Sequence, residues 1–198
     1  METSTSKRAF FTILLLIVPV LCILIGWFQV PKPVSADKER KTFAREKLKN
    51  ELLKDVPNLN TPLQIGLGKK LMFMGSNLPK APVLPGEIAT LDVYFKTLES
   101  MDRNWKIFLH IDPTSQGRRI HGDHYPVRGK YATNLWQKNE IIKDSHLQVI
   151  PENATPGTYT IWLGLYIGDE RLPITTGQKP HHDGSNRIRV GTITVGRK

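Results

Sequence analysis

The eight residues 105–112, WKIFLHID, decide how the rest of the chain is read. Trp105, Ile107, Leu109 and Ile111 fall on one parity, and Lys106, Phe108, His110 and Asp112 on the other. A period of two is that of a pleated strand with one face turned to a core. The run at 91–95 repeats it, with Leu91, Val93 and Phe95 opposed by Asp92, Tyr94 and Lys96. Tyr159, Ile161, Leu163, Leu165 and Ile167 make a third core strand. Further strands are expected near 63–74, 141–150 and 187–195, with a shorter piece near 118–124. Pro85-Gly86 and Pro156-Gly157 mark turns just ahead of strands. In the last strand Ile188 and Val190 share one parity while Ile193 and Val195 share the other, so a β-bulge is predicted at Gly191. Six or seven short strands without helix–strand alternation predict a mainly β fold over residues 61–198. The expected form is two packed antiparallel sheets, an immunoglobulin-like β-sandwich.

Ahead of that domain, Ala9–Val30 reads AFFTILLLIVPVLCILIGWFQV, 22 residues without a formal charge. As a helix it would extend about 33 Å, enough for a hydrocarbon core of about 30 Å. Phe10, Phe11, Leu14, Leu15, Leu16, Ile17, Leu21 and Ile25 supply the apolar anchor, and Trp27 suits the interfacial belt. Pro19 is tolerable in a membrane helix. A cleaved signal peptide is the competing reading, given Lys7-Arg8 and the small residues Val34-Ser35-Ala36. The apolar run is longer than a signal core of about 7–15 residues, which favours an uncleaved anchor. Bulky Leu21 argues against lipidation of Cys22. Residues 1–8 are then a cytoplasmic tail and the domain lies across the membrane. Lys32, Lys38, Arg40, Lys41 and Arg45 follow the span closely and count the other way, but long domains translocate largely regardless of charge.

Residues 31–60 are a linker. Within it DKERKTFAREKLKNELLKD, residues 37–55, predicts a short amphipathic connector helix with the stripe Ala44, Leu48, Leu52 and Val56, stopped by Pro57. Cys22 is the sole cysteine, so the folded part has no disulfide and no thiol chemistry. Lys and Arg number 28 against 18 Asp and Glu, a net charge of +10, which favours an anionic neighbour. The charges are scattered rather than gathered with stacked aromatics, and no nucleic-acid partner is expected.

No catalytic residue and no cofactor are expected. His110, Asp112, His121, Asp123 and His124 have metal-like composition, but without cysteine, a helical histidine pair or a defined outer shell no metal is assigned. Asp123 and His124 are instead expected to tie down the turn before Pro126 through backbone hydrogen bonds. Ser115, Ser145 and Ser185 lack a GxSxG context, and Gly66-Leu67-Gly68-Lys69 is no phosphate loop. Trp136, Tyr125, Tyr131, Trp162 and Tyr166, with Arg128 nearby, are the candidate ligand or partner surface, set against the alternative that these aromatics fill the sandwich.

Gly122-Asp123-His124 with Pro126, then Trp136, Glu140, Asp144, Pro156-Gly157 with Tyr159, Gly164-Leu165-Tyr166 and Arg171-Leu172-Pro173 carry a resemblance. Over about 105–195 the chain resembles the extracytoplasmic C-terminal β-sandwich of bacterial membrane glycosyltransferases of the dolichyl-phosphate-mannose mannosyltransferase type. Where that family carries Pro-Gly before the glutamate this chain has Lys138-Asn139, and the polytopic transferase segment is absent. The resemblance implies an accessory module without transferase chemistry. The expectation is a single-pass protein of the bacterial inner membrane with its C-terminal domain in the periplasm. Its expected role is that of a structural or accessory binding subunit that contacts membrane lipids and integral-membrane partner subunits, a carbohydrate-binding module for glycans being the alternative.

Overall fold

The computed structural model describes residues 35–198, and the expected anchor, Phe10 to Trp27, lies outside them. Among the described residues no helix is long and apolar enough to cross a membrane. Among the described residues eleven strands follow the helix α1 (Ala36–Thr42): β1 (Leu52–Leu53), β2 (Thr61–Leu67), β3 (Leu71–Asn77), β4 (Ile88–Thr97), β5 (Lys106–Pro113), β6 (Ile120–His121), β7 (Ile141–Val149), β8 (Gly157–Ile167), β9 (Glu170–Arg171), β10 (Ile174–Thr176) and β11 (Ile188–Val195). They form a six-stranded sheet, ordered β1-β7-β4-β3-β2-β10, and a second sheet, ordered β11-β8-β5-β6 with β9 paired to the end of β8. The named strands pair antiparallel throughout. The mainly β reading therefore holds, with more strands than the six or seven expected. The stretch near 63–74 is a hairpin with a three-residue connection, Gly68 to Lys70, whose first two residues both have positive φ. The very short strands β1, β6, β9 and β10 are below the length at which alternation can be read.

The core lies where the predicted parities face one another. Leu91, Val93 and Phe95 of the first sheet and Ile107, Leu109, Ile111, Ile161, Leu163 and Leu165 of the second belong to one buried apolar cluster. The predicted bulge is present, as the β11–β8 register slips between Arg189 and Gly191. The slip turns Ile188, Val190, Ile193 and Val195 all inward, which a regular strand could not do. The carbonyl of Val190, the extra residue, accepts the Ser76 hydroxyl of the opposite sheet at 3.1 Å, so the bulge leaves no buried acceptor unpaired there. Gly191 sits at φ 153°, and a Cβ on it would lie 2.8 Å from Leu78 Cδ1.

The connector helix expected over 37–55 is corrected. Only Ala36–Thr42 is α-helical; a 3₁₀ turn at Arg45–Lys47 and strand β1 follow. A stripe repeating every four residues drifts around a helix of 3.6 per turn, and a short isolated helix is marginal, so tertiary bonds decide. Leu48 is buried in the core, while Leu52 pairs with Ile142 as β1 joins the edge of β7. Two of its arginines are donors to groups far along the chain. Arg40 is buried and donates to the carbonyls of Asn134 (3.0 Å) and Met101 (2.9 Å). Arg45 donates to Glu140 Oε1 (2.7 Å) and to the carbonyls of Arg40 (2.6 Å) and Leu135 (2.7 Å).

Glu140 Oε2 in turn accepts the Tyr131 hydroxyl (2.6 Å) and the Gln137 amide (2.7 Å). Burial first, then this carboxylate, pushes the Tyr131 hydroxyl pKa up. Asn139, where the resembled family carries glycine, has φ 68°, a left-handed conformation that asparagine tolerates better than most residues.

Arg45→Ala should cost about 2–3 kcal/mol in urea unfolding, since it strands Glu140 and two carbonyls. Arg45→Lys should recover little of it, because one ammonium cannot reach three acceptors set in a fork. Gly191→Val should cost about 1–3 kcal/mol by the same measurement, from the Leu78 clash and the φ.

Candidate functional site

The outer parity of WKIFLHID sets the site. β5 turns Lys106, Phe108, His110 and Asp112 away from the core, and β8 presents Trp162 and Tyr166 opposite His110 and Lys106. β6 pairs His121 with His110 on the same face, and the ladder continues to a bridge between Ile107 and His124. Trp162 and Tyr166 are half-buried, and Tyr125 is 47% exposed. Cations lie over these rings: Arg187 over Trp162 (4.8 Å), Lys106 over Tyr125 (4.7 Å) and Arg171 over Phe108 (4.8 Å). The face is thus a mixed aromatic and cationic surface.

Two members of the expected aromatic surface are corrected. Trp136 and Tyr131 are both 0% exposed. Trp136 packs on Phe95 and donates Nε1–H to the Tyr131 carbonyl at 3.1 Å, while Tyr131 stacks under Phe43. They fill the sandwich, as the alternative reading had it. Arg128 is exposed, but it lies in a left-handed turn with Val127, at φ 54° and 55°, and sits 3.6 Å from Glu51. It is on neither the Trp162 row nor the Tyr166 row.

The five residues weighed as metal ligands divide into three groups. Asp112 is bound by Arg119 and lies 3.4 Å from Arg187. Burial opposes its ionisation, but the two guanidiniums hold its pKa below the usual carboxylate value. His124 turns inward: Nε2 is 2.7 Å from Asp144 Oδ2 and Nδ1 is 2.6 Å from the Gly122 carbonyl. Both ring nitrogens face acceptors, so both carry protons and the ring is an imidazolium. Burial pulls its pKa down, yet Asp144 and Gly122 outweigh that and hold it above the ordinary value. His146 stacks on it at 4.2 Å and is kept below its ordinary value by burial and by that charge.

The third group is His110, His121 and Asp123, whose ligand atoms all lie within 4.8 Å of one another. Asp123 acts as expected on the backbone, its Oδ1 accepting the Leu109 amide at 3.1 Å. The reason is local. Gly122 N donates to the Leu109 carbonyl, but the Gly122 carbonyl is turned to His124, so the return bond from Leu109 goes to the neighbouring carboxylate. A Cβ at 122 would stand 2.4 Å from Gln148 Oε1, so a larger residue there would displace that side chain.

Ser145 lies on β7, where its hydroxyl donates to Asp92 and no histidine attends it. Asp144 is the residue whose weight no periodicity announced. It is 0% exposed on β7, pairs with His124 of the other sheet and accepts the Val127 amide at 2.6 Å. Its only sequence signal was its place in the quoted resemblance.

No family model and no curated protein matches the chain.

His124 contributes stability that is fully present below its unfolded pKa, about 6.5, and lost as pH rises through its elevated folded value. Thermal melts with chelator present should therefore show wild type losing stability on the alkaline side, a slope absent from His124→Gln. Asp144→Ala should cost about 3–5 kcal/mol, because it strands a buried imidazolium and a buried amide.

Proposed function

We propose that the protein is a non-catalytic, single-pass subunit of the bacterial inner membrane whose immunoglobulin-like sandwich stands in the periplasm and binds a partner subunit of a membrane complex. The observation that carries this reading is an apolar patch on the outer face of the first sheet. Ile88 (58% exposed), Leu147 (50%) and Val149 (56%) sit on neighbouring strands, with Ile88 paired to Val149. The patch borders the edge of β7, which β1 covers only at Ile141 and Ile142. Exposed aliphatic side chains beside an incompletely covered edge suit strand addition by another chain. The uncharged run 9–30 supplies the anchor in this reading, and the resemblance to the accessory sandwich of membrane glycosyltransferases points the same way.

The second reading is a membrane-anchored carbohydrate-binding module, favoured by Tyr125 and Tyr166 on the opposite face. Against neutral sugars, Arg187 and Lys106 already occupy the space over Trp162 and Tyr125.

A photo-crosslinking residue at Leu147 of the anchored, full-length protein should capture one partner in stoichiometric amount, and the same residue at exposed Thr192 on β11 should not. Leu147→Asp should leave the melting temperature within a few degrees and reduce co-purified partner at least tenfold. A monodisperse monomer in mild detergent that binds glycan arrays would replace the first reading with the second.

A further inference from the structure

We propose that His110, His121 and Asp123 form a binding site for a divalent cation of the zinc class on the outer edge of the second sheet, with a coordination position left open. The site arises from strand geometry. His110 of β5 and His121 of β6 are direct cross-strand partners, which places their rings on one face, with centroids 5.4 Å apart. Asp123, two residues beyond His121, returns to the same face. One ligand atom from each lies within 4.8 Å of the others. Two imidazoles and one carboxylate are a donor set that late first-row divalent cations accept. A tetrahedral zinc with bonds of about 2.0–2.1 Å places its ligands about 3.3 Å apart, so the three side chains draw together when the ion binds.

Two further observations point the same way. His110 Nδ1 is shut off from solvent and has no hydrogen-bond partner in the structure, an orphan that a metal ligand bond would satisfy. The Asp123 carboxylate is already oriented from outside the site by the Leu109 amide, as carboxylate ligands commonly are. Of the nearby guanidiniums, Arg119 is bound to Asp112 and Arg187 to Asp112 and Asp183, while Arg171 lies over the Phe108 ring and donates to the Ser185 carbonyl. The open position faces a cleft lined by Phe108, Tyr166, Asp169 and Arg171, where an oxygen ligand or water completes the shell.

The test uses the tag-free full-length protein in mild detergent with zinc ion alone. Equilibrium dialysis with elemental analysis should find one tightly held equivalent. Cobalt in its place should give the visible absorption of a tetrahedral site. His121→Gln, on the exposed edge, should weaken binding by about 100-fold while its metal-free melt stays within a few degrees of wild type; Asp123→Asn should weaken it as well. His182→Gln, in a separate loop, should bind as wild type does. Failure of wild type to retain one equivalent would overturn the site. So would zinc that persists in His121→Gln or departs with His182→Gln.

Discussion

A carboxylate shut away from water must be paired, and Asp144 is the place where this fold meets that requirement. Asp144 belongs to the first sheet and His124 to the strand path of the second, so their bond clasps the two layers at the edge where no ladder joins them. The same carboxylate holds the Val127 amide and with it a left-handed turn that a β-branched residue adopts only under constraint. Because His124 gives its other nitrogen to the Gly122 carbonyl, that carbonyl leaves the ladder, and Asp123 replaces it toward Leu109. The direction in which Asp123 points, and hence its nearness to His110 and His121, follows from the buried pair.

The two outer faces differ in kind. The first sheet exposes aliphatic side chains at one end, beside an edge that β1 covers for only two residues. The second covers its aromatics with cations and gathers imidazoles at its β6 edge. The docking surface and the cation site proposed above fall on opposite sides of one core.

What the sequence made legible was whatever depends on parity. The three long strands, the inward rows and the bulge at Gly191 all follow from alternation over eight or more residues. The connector was misread because its local pattern favours a helix, while Arg40, Arg45 and the β1–β7 pairing, all contacts with residues far along the chain, decide otherwise. Tyr131 and Trp136 were misplaced for a related reason, since an irregular loop offers no parity to say which way an aromatic faces. Of the site, Asp123 and His124 were legible as backbone ties. The grouping of His110, His121 and Asp123 apart from Asp112 and His124 needed the register between β5 and β6.

The chain between Gly122 and Val127 works as a ruler. A carboxylate and an imidazole in its middle and an amide at its end each meet a fixed point on another strand, while the carbonyl at its start is turned onto that imidazole. Adding or removing one residue there would carry every later group past its counterpart. The exposed loop at 114–119 has fewer such fixed points, the Thr114 bonds to Thr158 and the Arg119 pair among them, and can change length between those two ends. A change of length in this chain is therefore accommodated on the side of the β5–β6 connection that precedes His121, and not between Gly122 and Val127.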